Sequence, residues 1–222
     1  MKRFPALTLS LALCLVIAST VAHAADTAPA PSKPASAPPA AASAPAAMPA
    51  AVDSLGLLEH AFEKDSTSFD NLYRLGVAYL DRDRVVDALR VLQMAHRRRP
   101  KDMKALVNLG AALDASGKAD EAQEQYRAAL AIAPGDSVAG CRLASSLYSQ
   151  AKYGESIGLL RDLIRKKPRS YCAYFTLGVA FADAGIYRDA VRMWKKVVEI
   201  APSSPEAVSA KESIEVLQKF IQ

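Results

Sequence analysis

Four prolines recur along the chain at a fixed interval of 34 residues, at Pro100, Pro134, Pro168 and Pro202. A constant period of this size is typical of stacked supersecondary units that are built from the same few elements. Proline stops a helix because it has no backbone N–H and its ring clashes with the preceding turn. The spacing therefore predicts a repeat architecture in which each proline closes one unit.

An apolar pattern with the same period lies between the prolines. Its third copy is weaker than the other three, but it keeps the register. The four copies are Leu72, Leu75, Gly76, Tyr79, Ala88, Leu92 and Ala95; Leu106, Leu109, Gly110, Leu113, Ala122, Tyr126 and Ala129; Gly140, Leu143, Ala144, Leu147, Ser156, Leu160 and Leu163; and Tyr174, Leu177, Gly178, Phe181, Ala190, Trp194 and Val197.

The spacing within each copy predicts a pair of helices. Apolar residues at i, i+3 and i+7 form one stripe of a first helix, and the small residue beside the second of them lets a partner helix approach closely. Gly117 and Gly185 lie where the chain turns between the paired helices. One pair cannot bury its own stripe, so the pairs must stack to form a core. Tyr126, Trp194 and Phe181 occupy core positions of this pattern.

Over residues 69–202 this pattern resembles the tetratricopeptide-repeat (TPR) family. The resemblance implies an all-α, right-handed solenoid of four helix-turn-helix repeats, at 69–102, 103–136, 137–170 and 171–204. Leu55, Leu58, Ala61 and Phe62 predict a helix before the first repeat. Ser204-Pro205-Glu206 starts a capping helix over 205–221, whose polar residues Lys211, Glu212, Glu215 and Lys219 would face solvent. The repeat domain then spans 53–222.

The amino-terminal quarter of the chain is of a different kind. Residues 1–24 have a basic start, an apolar run and a small-residue cleavage site, which predicts a signal peptide, with an uncleaved anchor as the alternative. Leu13 before Cys14 does not fit a lipoprotein signal. Residues 25–52 contain 20 alanines and prolines in 28 positions and predict a disordered tether of roughly 80 Å when extended. No transmembrane anchor is expected after processing.

Composition and motifs argue against catalysis and against nucleic acid. Cleavage would leave 26 basic and 23 acidic residues, a small excess. The basic run that ends at Arg99 falls at a predicted helix end, where cations meet the helix dipole favourably; contact with an anionic envelope surface is the alternative. His60 and His96 each lie alone on a predicted helix and belong to no metal-ligand motif. We expect no enzyme activity, cofactor or metal.

In TPR proteins the first helices line a concave groove, and the resemblance implies a partner site there. Tyr73, Tyr148 and Phe175 are the expected aromatic anchors, and Asp81, Asp114 and Asp183 would place acidic charge along one border. The alternative is that the carboxyl-terminal helix, or the amino-terminal helix of a second copy of the chain, fills the groove. The residues assigned to partner binding are Tyr73, Val77, Leu80, Val107, Ala111, Asp114, Val138, Arg142, Tyr148, Phe175, Val179 and Asp183.

Two details of this groove follow from the resemblance. A TPR subclass clamps a carboxyl terminus with Lys, Asn and Arg side chains, but only Asn108 and Arg142 match it here, so the clamp is not expected. Cys141 and Cys172 fall on neighbouring first helices. A disulfide requires their Cα atoms to lie within about 7 Å, which is closer than ordinary helix neighbours. A disulfide and a pair of free thiols are therefore alternative interpretations.

These features predict a non-catalytic scaffold or adaptor of the bacterial cell envelope that binds a protein or peptide segment. The periplasm is the expected location, with the extracellular space as the alternative. A self-assembling TPR module, or a structural subunit of an envelope complex, is the alternative function.

Overall fold

A computed structural model of the protein describes residues 54–221. The predicted signal peptide at 1–24 and the predicted tether at 25–52 lie outside the described residues, as do Asp53 and Gln222.

All regular secondary structure within residues 54–221 is helical, which confirms the all-α prediction. The first helices of the four pairs begin 34 residues apart, as the proline spacing requires. The ten helices are α1 (Ser54–Lys64), α2 (Phe69–Leu80), α3 (Val85–Arg98), α4 (Met103–Ala115), α5 (Ala119–Ile132), α6 (Ser137–Ser149), α7 (Tyr153–Lys166), α8 (Tyr171–Asp183), α9 (Tyr187–Ile200) and α10 (Pro205–Ile221). None of these helices is long and apolar enough to span a membrane.

Short polar side chains start the first helices. Ser68, Asp102 and Asp136 each occupy the N-cap, and their side chains accept hydrogen bonds from the backbone N–H groups of Asn71, Ala105 and Ala139. Each cap satisfies a donor that has no partner within its own helix. The four periodic prolines lie two residues before Asp102, Asp136, Ser170 and Ser204, and none precedes Ser68. From the second pair onward, the stop of one pair and the start of the next are therefore encoded together.

Small residues permit close packing within each pair. A Cβ atom added to Gly110 would lie 2.5 Å from Cε1 of Tyr126, and one added to Gly76 would lie 2.6 Å from Cγ of Leu92. Any side chain at these positions would therefore require Tyr126 or Leu92 to move from its packed position.

The turn inside each pair uses a left-handed residue at one repeat position. Gly117 and Gly185 have φ angles of 77° and 74°, and Asp83 and Ala151 adopt 57° and 59° at the equivalent positions. The sequence pattern identified only the two glycines. An alanine in this conformation costs about 1 kcal/mol or more relative to glycine, so packing of the flanking helices must impose it on Ala151.

The carboxyl-terminal helix continues the stack. Its buried residues Ala207, Ala210, Ile214 and Leu217 join one apolar cluster with Ala190, Val191, Trp194 and Val197 of α9. Helix α10 contacts α9 and α8 and no earlier helix, so it does not run along the first helices as a groove-filling segment would. Its outer face is less polar than expected, because Val208, Val216 and Phe220 are exposed beside the predicted polar residues.

Candidate partner-binding face

The twelve residues assigned to partner binding all lie on α2, α4, α6 and α8. Each of these first helices contacts the next, so together they form one continuous surface. We call this surface the first-helix face.

The exposure of the assigned residues varies along the first-helix face. Val138 is 56% exposed, and Arg142 and Asp183 are also exposed. Val107 is only 8% exposed and belongs to the apolar core, so it offers little surface to a partner. The remaining assigned residues are half-buried: Tyr73, Val77, Leu80, Ala111, Asp114, Tyr148, Phe175 and Val179.

A hydrogen bond links the first two helices of this face. Nδ2 of Asn108 on α4 donates to the hydroxyl oxygen of Tyr73 on α2 at 3.1 Å, and also to the carbonyl oxygen of Lys104. Burial raises the pKa of the Tyr73 hydroxyl. Tyr73 also lies nearly parallel to Phe69, with ring centroids 6.0 Å apart. The Tyr73 side chain is therefore held by neighbouring protein groups, and it remains only half-buried.

Asp114 is the centre of a polar cluster between α4 and α6. Its two carboxylate oxygens accept hydrogen bonds from the hydroxyl of Tyr126 at 2.9 Å and from Oγ of Ser146 at 2.8 Å. Burial raises the pKa of Asp114, although both hydrogen bonds and the nearby charge of Arg142 act to lower it. Burial likewise raises the pKa of the Tyr126 hydroxyl. The carboxylate of Asp114 thus joins three helices, because Tyr126 belongs to α5.

The third link is covalent. Cys141 on α6 and Cys172 on α8 form a disulfide, and their Cα atoms are 6.2 Å apart. This distance lies within the usual range for a disulfide and below the axial separation of most packed helices. The bond therefore holds α6 and α8 close together near their amino-terminal ends.

A second contact joins α6 and α8 at their other ends. The hydroxyl of Tyr148 donates to Oδ2 of Asp183 at 2.9 Å, and the Tyr148 ring meets the edge of Tyr153 with centroids 4.8 Å apart. The exposed carboxylate of Asp183 keeps its other oxygen for solvent or a partner. Phe175 and Val179 pack partly against the cluster formed by α9 and α10, which limits the surface they present.

Sequence reasoning missed the partners within this face. It assigned no role to Asn108, did not mention Ser146, and interpreted Tyr126 only as packing. These partners could have been found from the polar groups at core-facing helical positions. A buried polar group requires a hydrogen-bonding partner, so such positions indicate a hydrogen bond between helices. No group of three or more His, Cys, Asp or Glu side chains within residues 54–221 is arranged to hold a metal ion.

Comparisons with known proteins agree with this architecture. The model of the tetratricopeptide repeat family matches residues 69–137 and 141–205. A comparison with curated proteins finds no significant match.

Several solved structures share the fold. One is TTC0263, a TPR protein of Thermus thermophilus, at 17% identity, with 72% of this chain and 88% of that chain covered and a TM-score of 0.63. Another is PilF of Pseudomonas aeruginosa, at 21% identity, covering 71% and 70%, with a TM-score of 0.59. YrrB, described as a TPR protein with an unusual peptide-binding site, matches at 21% identity, covering 71% and 81%, with a TM-score of 0.53.

The stacked helix pairs define a helical-repeat protein whose extended faces are suited to protein–protein interaction. The family match covers more than half of the chain, so the chain belongs to the tetratricopeptide repeat family. That family generally provides non-catalytic scaffolds for protein–protein interaction.

Proposed function

We propose that this protein is a non-catalytic adaptor of the bacterial cell envelope, and that it holds a segment of a partner protein in a groove along the first-helix face. The observation that carries the proposal is the state of the aromatic side chains on this face. Tyr73, Tyr148 and Phe175 are only half-buried, and Val138 is largely exposed. Partly exposed aromatic residues on a rigid surface are frequent anchors for a protein partner.

The charges of the first-helix face favour a partner with an apolar stretch and a basic flank. Asp81 and Asp183 are exposed at the same ends of α2 and α8. Asp114 contributes less to this border than expected, because internal hydrogen bonds occupy both of its carboxylate oxygens. The acidic border proposed here therefore consists chiefly of Asp81 and Asp183.

An adaptor explains the polar groups of this face better than an enzyme does. Asp114 and Tyr126 have raised pKa values and are the strongest candidates for acid–base chemistry. The hydroxyl of Tyr126 donates a hydrogen bond to one carboxylate oxygen of Asp114, and the hydroxyl of Ser146 donates to the other. These contacts connect α4, α5 and α6, so we assign them a structural role.

Location in the periplasm is part of the proposal. Its supports are the signal-like residues 1–24 and the disulfide between Cys141 and Cys172, since disulfides persist mainly in oxidising compartments. The Ala/Pro segment at 25–52 would act as a spacer ahead of the repeats. The extracellular space is the alternative location.

Self-assembly is the second candidate function, and one observation favours it. Val208, Val216 and Phe220 are exposed on the outer face of α10, where the stack ends. Solenoids usually cover the end of the stack with a polar surface. Under this alternative the protein forms concentration-dependent oligomers without any partner.

A charge placed in the proposed groove tests the function. We expect Tyr148→Glu to reduce recovery of the partner from envelope extracts at least about tenfold, because it removes an aromatic anchor and places a hydrated charge where the apolar stretch of the partner would lie. Recovery is measured by quantitative mass spectrometry after affinity capture. Arg127→Glu is the matched control, since Arg127 is exposed on α5, outside the first-helix face. Equal recovery by the two variants would contradict the groove assignment.

A further inference from the structure

Positive charge is concentrated in two turns of the solenoid. Residues 97–101 read RRRPK and residues 165–169 read RKKPR, so the same repeat position carries four cations and no carboxylate in each. The equivalent segments 131–135 and 199–203 read AIAPG and EIAPS. Residues 54–221 contain 25 basic and 21 acidic residues, so the solenoid outside these two turns has a net negative charge.

These turns lie on one edge of the solenoid. Each connects the second helix of a pair to the first helix of the next pair, and antiparallel helices joined by short turns place all such connections at the same end. Local contacts agree with this arrangement. A Cβ atom added to Gly135 would lie 3.3 Å from Cε of Lys167, so the Lys167 side chain reaches the neighbouring turn. We call residues 97–101, 131–135 and 165–169 the basic edge.

Most cations of the basic edge have no acidic partner. Within the part of the chain that the structure describes, no ion pair joins Arg97, Lys101, Lys166 or Lys167 to a carboxylate, and all four are exposed. Two other cations of this edge are engaged. Arg165 pairs with Asp162 at 2.8 Å, and Arg99 lies 3.9 Å from Asp70 with its guanidinium over the ring of Phe69.

At the opposite edge of the solenoid, which carries the turns inside the helix pairs, some cations do have acidic partners. Arg84 bridges Glu59 at 3.0 Å and Asp87 at 2.8 Å, and Lys152 approaches Asp120 at 3.5 Å. Arg84 and Lys152 therefore connect neighbouring helices. The unpaired cations of the basic edge connect nothing within residues 54–221, although their mutual repulsion favours neutralisation by an external anion.

We propose that the basic edge is a docking surface for a membrane that contains anionic phospholipids. Two apolar side chains support a lipid surface over other anions. Ile132 is 48% exposed at the end of α5, between the two basic turns, and Tyr171 is 36% exposed just after the second of them. Cations beside exposed apolar and aromatic side chains match the headgroups and the interfacial layer of a bilayer.

The spacing of the basic turns predicts how they contribute. Equivalent turns two pairs apart are separated by about two helix spacings, roughly 20 Å. This distance exceeds the Debye length of about 8 Å at physiological ionic strength. The two turns therefore bind anionic headgroups independently, and their contributions to the partition constant multiply.

Co-sedimentation with lipid vesicles tests the proposal. We expect the protein to bind vesicles of mixed phosphatidylglycerol and phosphatidylcholine, to bind phosphatidylcholine alone much more weakly, and to be released at high ionic strength. The variant with Arg97, Arg98, Lys166 and Lys167 all replaced by Gln should partition several hundredfold more weakly, since each cation near such a surface contributes about 1 kcal/mol, or roughly a factor of five. The two substitutions in either turn alone should give roughly a thirtyfold loss, and circular dichroism checks that the variants fold.

The matched control removes as much charge elsewhere. Arg90, Arg161, Lys195 and Lys211 are exposed in the middle of helices, and replacing them with Gln should leave vesicle binding within about twofold of the original. All proteins compared carry the same amino-terminal residues, so any lipid affinity of residues 6–21 is common to them. Equal losses in the two quadruple variants, no preference for phosphatidylglycerol, or tighter binding to duplex DNA than to vesicles at the same salt would each overturn the proposal. The assay contains no protein partner, so its outcome is independent of the groove.

Discussion

Replacing Tyr126 with alanine should lower the free energy of unfolding by about 3–5 kcal/mol, the usual cost of removing a large aromatic side chain from a core. Tyr126 is fully buried and packs against the backbone of Gly110, which leaves little room for the site to collapse. The substitution also removes the hydrogen bond to the half-buried carboxylate of Asp114. The free energy is measured by urea unfolding followed by circular dichroism.

Two further variants separate the contributions. Tyr126→Phe keeps the ring and should cost about 1–2 kcal/mol, since only the hydrogen bond to Asp114 is lost. Tyr171→Ala removes a similar ring from an exposed position and should cost less than about 1 kcal/mol. If Tyr126→Ala were no more destabilising than Tyr171→Ala, the packing of α4 against α5 described here would be wrong.

Loss of the disulfide should have the second large effect. Reduction, or replacement of Cys141 and Cys172 by alanine, should lower the free energy of unfolding by about 3–4 kcal/mol, because a crosslink across 31 residues restricts the unfolded chain. The disulfide also holds α6 and α8 together where the third copy of the repeat pattern is weakest. Thermal unfolding with and without reductant measures the difference.

The double alanine variant is also the control for the reductant. Its unfolding midpoint should be the same with and without reductant, since no other cysteine lies within residues 54–221. An unchanged midpoint for the original protein under reducing conditions would contradict a stabilising disulfide. Reduction should also weaken partner binding if the close approach of α6 and α8 shapes the first-helix face.

Periodicity predicted the helices well, since each helix start depends on local signals. The N-caps at Asp102 and Asp136 lie two residues after a proline, and both are evident in the sequence. The turns were predicted less well. Asp83 and Ala151 adopt the same left-handed conformation as Gly117. Aspartate is only modestly enriched in this conformation and alanine disfavours it, so the residue types do not predict it. Their conformation follows from packing of the flanking helices, which a local pattern does not contain.

The sequence predicted which helices carry the candidate face, but it did not predict the contacts that its side chains make. Repeat numbering placed all twelve residues on the first helices, yet it did not separate the buried Val107 from the exposed Val138. It also did not show that Asp114 accepts hydrogen bonds from Tyr126 and Ser146. Such contacts depend on how adjacent pairs stack, and that geometry is set by side chains distant in sequence.

The central claim is that a partner segment lies along the first-helix face. In-cell photocrosslinking tests it most directly, with a photoreactive residue at Ser145, which is exposed on α6, and a control at Arg127, which is exposed on α5. We expect one dominant partner protein to be crosslinked from Ser145 and not from Arg127. Crosslinks only between copies of this chain, or the same products from both positions, would contradict it.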